Sequence, residues 1–484
     1  MSYLQKIQLK MKNIFIIPLL LLFVKLTFGQ EKMEFKVGYS ELYATYDFIG
    51  KISDYYPDNS LKKEFLKSKY NTENYKQIVS QMDTLYIDFN YSFEQYPPTL
   101  KSSLASRSLL EKRLIQSKTI EEFKKKSFGI IPNEELTIFS NAVKAFLPVY
   151  NDLIFQPNKE NFENQLSNIN SELTTNDVPI IFNDFLKFYG THWDFDVPFE
   201  IIANPTVGKS GIGARAFLNV SVIRFPLYFK SYDILFSVML HEIAHIIYDN
   251  QSVEFKNDLN SWFLNTKSTY SAYAFLLLNE VLATSLGNGY AYEELKNSVD
   301  PEDWYYVKYV NSMAKEIYPL VKTYLQKGKA IDEEFVKVYV RTYDSNFSEW
   351  TKELDNILTY RVIFSDSRDN IRYFRRNYFS TYHRSGLLTK SDIEEKKQLP
   401  ITKVVIVSNN HDKKLSLVKE SLEEIKMFKF DSEKEFVKVF ELRDRTKLIL
   451  INKHNSTIET LMNVEFNERK IKTVYNNGNR CTSH

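Results

Sequence analysis

The segment from Val238 to Ile247 reads Val-Met-Leu-His-Glu-Ile-Ala-His-Ile-Ile, with His241, Glu242 and His245 set in an otherwise apolar run. A helix with no polar stripe must be covered on most sides. Burying two imidazoles and a carboxylate without partners is costly, so the fold has to supply them. At 3.6 residues per turn, His241 and His245 stand on one helix face, one turn apart. Two neutral imidazoles so placed can reach one Zn²⁺ at about 2.0–2.1 Å each. Glu242 is offset from both and can face a metal-bound water, taking its proton and later handing it on. The H-E-x-x-H pattern therefore points to hydrolysis by an activated water, most often of a peptide bond. Ser231 can cap the start of this helix, Asp233 suits the positive end of its dipole, and Asp249-Asn250 closes the apolar run.

A catalytic zinc takes three protein ligands and keeps one position open. The short-spacer form, H-E-x-x-H-x-x-G-x-x-H, fails because Tyr248 and Gln251 stand where its glycine and last histidine belong. A second apolar stretch, Ser271 to Gly287, carries Glu280 as its only charge, flanked by Leu276, Leu277, Val281 and Leu282. It reads as a helix stopped by Gly287-Asn288-Gly289. A lone carboxylate there needs a cation or a proton. Glu280 is the expected third ligand, with Glu254, Glu293 and Glu294 as fallbacks.

With these residues the chain resembles the gluzincin class of zinc metallopeptidases, over about positions 195–290. In that class a helix bearing a ligand glutamate follows H-E-x-x-H, often as N-E-x-x-A, and here the element reads Asn279-Glu280-Val281-Leu282-Ala283. The resemblance implies His241, His245 and Glu280 as zinc ligands and Glu242 as general base. It also implies a strand pair leading into the first zinc helix, whose edge would hold an extended peptide.

Lys6, Lys10 and Lys12 precede the apolar run Ile14 to Val24, and Thr27-Phe28-Gly29 places small residues before Gln30. This predicts a signal peptide over 1–29, opening at Met1 or Met11, and a secreted or periplasmic protein without stable membrane insertion after cleavage. The only cysteine, Cys481, can form no internal disulfide, so stability must come from apolar cores, which 484 residues permit. A net charge of +2 gives no general attraction to nucleic acid or membranes.

The remaining pattern divides the chain into a mainly helical region over 30–195, a zincin-like catalytic domain over 196–390 and a small α/β module over 398–476. Apolar residues recur at helical spacing over 61–70, 74–85, 120–126 and 134–150. Pro198 to Ala203 and Ala214 to Phe225 read as two strands of a small antiparallel sheet, with Gly208–Gly213 as a hairpin turn that lacks phosphate-loop spacing. The stretch 302–383 reads as further helices, and its interleaved Arg and aromatic residues read as a solvated face rather than a nucleic-acid surface. Tyr382, His383 and Arg384 are candidate donors to a developing oxyanion, with Tyr290 and Tyr292 behind them. From Thr402 the order strand, helix, strand, strand is expected.

The expected class is thus α+β, mainly helical, and the expected function a secreted zinc metallohydrolase acting on a peptide or protein. The alternatives are a zinc amidase on another substrate, or a secreted binding protein whose zinc site is structural or silent.

Overall fold

The computed structural model describes residues 33–97, 100, 103–208 and 211–466. The expected signal peptide and Cys481 lie outside them. The fold is α+β and mainly helical. Among the described residues, most of Glu41 to Tyr189 is helical, with a two-stranded ribbon of β2 (Asn90–Ser92) and β3 (Ser103–Ala105) set within it. Their ends follow local chemistry: Ser40 and Thr119 accept from backbone N–H groups of the first turn, and Gly190 closes Val178–Tyr189 in the left-handed region at φ 63°.

The first sheet contains β1 (Phe35–Gly38), β4 (Phe199–Thr206), β5 (Gly213–Phe217) and β6 (Val220–Pro226) in the order β1-β4-β6-β5. It is mixed rather than antiparallel: β1, β4 and β6 run parallel, and only β5 opposes β6. β4 and β5 are not neighbours in the sheet, so no hairpin joins them as expected for 208–213. The hairpin lies inside the run read as one strand, at Leu218-Asn219. Leu218 adopts φ 56° there, and Asn219 Nδ2 donates to Pro198 O at 2.8 Å. Strand alternation divides the burial: Ile201, Ala203, Ala214 and Ile223 face the helices that follow, while Ile202, Phe217, Val220 and Val222 face the N-terminal helices.

Helix α1 (Tyr232–Asp249) packs on this sheet, followed by Val253–Leu264 and helix α2 (Ser271–Ala283). Ser231 occupies the N-cap of α1, but its side chain makes no capping bond. Beyond helix α3 (Lys308–Gln326) and Glu333–Phe347, the chain expected to stay helical enters a second sheet through β7 (Tyr360–Phe364), helix α4 (Arg368–Asn377) and β8 (Tyr382–Gly386). The tail then adds β9 (Thr402–Val407), a helix, β10 (Phe436–Glu441) and β11 (Lys447–Asn452), in the order expected for it. The sheet order is β10-β11-β9-β7-β8, parallel except at β10, so it extends across the boundary expected near residue 390. Both faces of β9 and β11 are buried, which accounts for their unbroken Val/Ile/Leu runs. One face joins the same core as α1 and α2, and Tyr273 of α2 meets Thr402 Oγ1 at 3.0 Å. Among the described residues, no helix is long and apolar enough to cross a membrane.

Candidate metal centre

Helices α1 and α2 bring His241, His245 and Glu280 together. The two Nε2 atoms are 3.2 Å apart, and Glu280 Oε2 lies 3.8 Å from that of His241 and 3.5 Å from that of His245. Donors about 2.0–2.1 Å from one tetrahedral ion stand about 3.3 Å apart, so the three edges fit a single ion. His241 Nδ1 is 2.9 Å from Asn288 Oδ1, and His245 Nδ1 is 2.9 Å from Asn279 Oδ1. With amide oxygens accepting there, each neutral ring carries its proton on Nδ1 and turns an Nε2 lone pair toward the other two atoms. Glu280 Oε2 is buried and has no hydrogen-bond donor beside it. Three acceptors thus converge on one point, and a cation satisfies all of them. These residues could hold a metal ion.

Electrostatics support the same conclusion. Burial lowers His241 to about 4, reinforced by its neighbour His245. Burial also opposes the charge on His245 and Glu280, yet their mutual attraction overrides it, raising His245 to about 10 and lowering Glu280 to about 2. Without a metal, the pocket keeps one proton on His245 against the Glu280 carboxylate, and a metal ion entering would release it. Of the three, His245 is the most exposed, at 16% of its side chain against 7% for His241 and 6% for Glu280.

Glu242 is buried beside this group, and burial, with the Glu280 charge, raises it to about 7. The backbone of Ala216 on β5, the edge strand of the first sheet, works against this rise by favouring the charged carboxylate. Glu242 thus combines a place beside His245 and Glu280 with a proton affinity near neutrality.

Gly287-Asn288-Gly289 does not stop the second helix. It lies in a π-helical stretch, Thr284–Ala291, that continues α2 into Tyr292–Lys296. A Cβ on Gly287 would fall 2.5 Å from His241 Cα and N, so only glycine permits this close crossing. The wider winding then presents Asn288 to the His241 ring. Because the obstructing atoms are backbone, Gly287→Ala must push the helices apart. We expect a loss toward the upper end of about 1–3 kcal/mol, visible in thermal unfolding. An unchanged melting temperature would contradict the crossing described.

The fallback carboxylates are engaged or placed elsewhere. Glu293 binds Lys322 Nζ at 2.6 Å, and Glu254 and Glu294 are exposed. Tyr290 donates to Asp184 at 2.9 Å, and Tyr292 is half-buried near Asp300. His383 on β8 accepts at Nδ1 from Arg361 Nε at 3.1 Å, and Arg384 Nε lies 3.0 Å from Tyr382 Oη. None of these side chains belongs to the converging group. The aromatic residue that does reach it is Tyr305, which the sequence reading missed. Its ring stacks on His241 with centroids 5.8 Å apart, and it helps to hold the Glu280 carboxyl below the usual range. Asn311 Oδ1 of α3 fixes this segment by accepting from the Trp304 and Tyr305 amides at 2.8 and 3.3 Å. The run Trp304-Tyr305-Tyr306 was its only sequence signal, lost among 32 tyrosines.

Comparison with protein-family models, with curated proteins and with solved structures finds no match to this chain.

Proposed function

We propose that this protein is a secreted zinc-dependent hydrolase that cleaves peptide bonds, in the manner of the gluzincins it resembles. The observation that carries the reading is the convergence of His241 Nε2, His245 Nε2 and Glu280 Oε2 beside the buried Glu242 carboxylate. Two imidazoles and one carboxylate suit zinc among the divalent metals. Among the described residues the group has three members, as an open catalytic site requires, whereas a structural site takes four. Export rests on the lysine-flanked apolar run within the first 29 residues.

Zinc held there supplies Lewis acidity, lowering the pKa of water and polarising a carbonyl. The chain's own groups do the rest. The free edge of β5 holds an extended peptide by backbone hydrogen bonds, beside Glu242. Glu242 removes a proton from the attacking water and passes it to the departing amine. Asn279 holds the His245 ring in position, and Tyr305 packs against the His241 ring.

The test is hydrolysis of a peptide library by the purified protein, abolished by a chelator and restored by zinc. Glu242 must be deprotonated to act, so kcat/KM should fall as the pH drops through its folded pKa. Burial holds that near 7, and a neighbouring cation lowers it toward the ordinary glutamate value, so the acid limb should lie between about 4.5 and 7. Absence of hydrolysis across the library, or hydrolysis indifferent to chelator, would refute the reading.

A further inference from the structure

We propose that Tyr305, Tyr306 and Phe379 form a rigid aromatic wall that leads out of the metal centre and selects peptides with an aromatic side chain next to the bond attacked. This rests on the peptidase reading above. The rings run in series from a ligand to the surface. Tyr305 stacks on His241, Tyr306 stacks on Tyr305 at 4.7 Å and 27°, and Phe379 meets Tyr306 edge-on at 5.5 Å and 89°. Exposure rises along the series: His241 is buried, Tyr305 half-buried and Tyr306 46% exposed. A large ring exposed in a wall continuous with the reacting centre offers a face to whatever side chain enters beside it. Such faces favour another ring, offset-stacked or edge-to-face, beyond the gain from burial alone.

Both ends of the wall are fixed in advance. Asn311 anchors the amides of Trp304 and Tyr305. At the other end Arg361 is fully buried and donates to the carbonyls of Leu358, Phe374, Tyr378 and Phe379, the last at 2.8 Å. A guanidinium spent on four backbone carbonyls holds the turn that carries Phe379, so little ordering remains to oppose binding. This also assigns the second sheet a part in the site, because Phe379 lies on the approach to β8.

The test uses the zinc-loaded, full-length Glu242→Gln protein and two capped peptides, acetyl-Ala-Ala-Phe-Ala-Ala-amide and its all-alanine equivalent, titrated by calorimetry. A single Phe lets the peptide settle in the register that places its ring on the wall. The phenylalanine peptide should bind on the order of 10-fold more tightly. Adding Tyr306→Ala should reduce that ratio to below about 3-fold, and Tyr306→Phe should preserve it. Tyr306 is half in solvent, so its truncation leaves no core cavity to confuse the result. A ratio near one in the Glu242→Gln protein, or a full ratio after Tyr306→Ala, would overturn the proposal. Cleavage by the unmodified protein, measured alongside, separates the two readings. Preference in binding with cleavage of neither peptide leaves the wall standing and removes the peptidase. Equal binding with cleavage of both removes the wall alone.

Discussion

Glu242→Gln should lower peptide hydrolysis by at least about 10²-fold, the lower end of what a positioned general base contributes, while zinc content and thermal stability stay close to the parent. The substitution keeps the size of the side chain and a hydrogen-bond acceptor in it, and removes only the basic carboxylate. Glu242 lies outside the converging group, so the ligand set is untouched. It is also buried where charge is disfavoured, which raises its proton affinity. A neutral amide is therefore no worse placed there than a carboxylate. Kinetics, metal analysis and a melting curve on one variant distinguish the outcomes. Unchanged hydrolysis would remove Glu242 from the reaction, and a fall matched by loss of zinc would make it a structural residue.

How much of this site the sequence carried depends on the range of the interactions involved. The two helices were legible because unbroken apolar runs can only be buried, and the polar residues within them then demand partners. His241, His245 and Glu280 were readable on that argument, and the structure brings them together. Gly287 was misread because glycine followed by Asn-Gly is locally a stop signal. Its real constraint is tertiary, the approach of the His241 backbone, and no local propensity encodes that. Asn288 was lost with it, although it sets the proton on the His241 ring.

The sheets show the same division. β9 and β11 announce themselves as apolar runs buried on both faces. β8, Tyr-His-Arg-Ser-Gly, has no fully buried residue and no apolar alternation, and it is a strand because β7 supplies its parallel partner. Its stretch therefore read as helix. Tyr305 is a third case, since only Asn311 on a separate helix explains why this tyrosine, among many, reaches the ligands.

The measurement that bears most directly on the account is the metal content of Glu280→Ala beside that of the parent. The parent should purify with, or take up from dilute zinc, about one zinc per chain. Removing even a group that only orients a ligand costs about 10–100-fold in affinity. Removing a ligand atom from a set of three should cost at least about 10²-fold, leaving the variant essentially empty under the same conditions. His245 should then lose the carboxylate that most favours its proton, and its pKa should fall from about 10 because burial is opposed only by Glu242 and Asn279. Elemental analysis with a competitive zinc titration reads the result. A zinc-free variant beside a parent with one zinc is the outcome this account predicts. Equal, tight zinc in both proteins, or none in either, would contradict the claim that His241, His245 and Glu280 together form the metal centre.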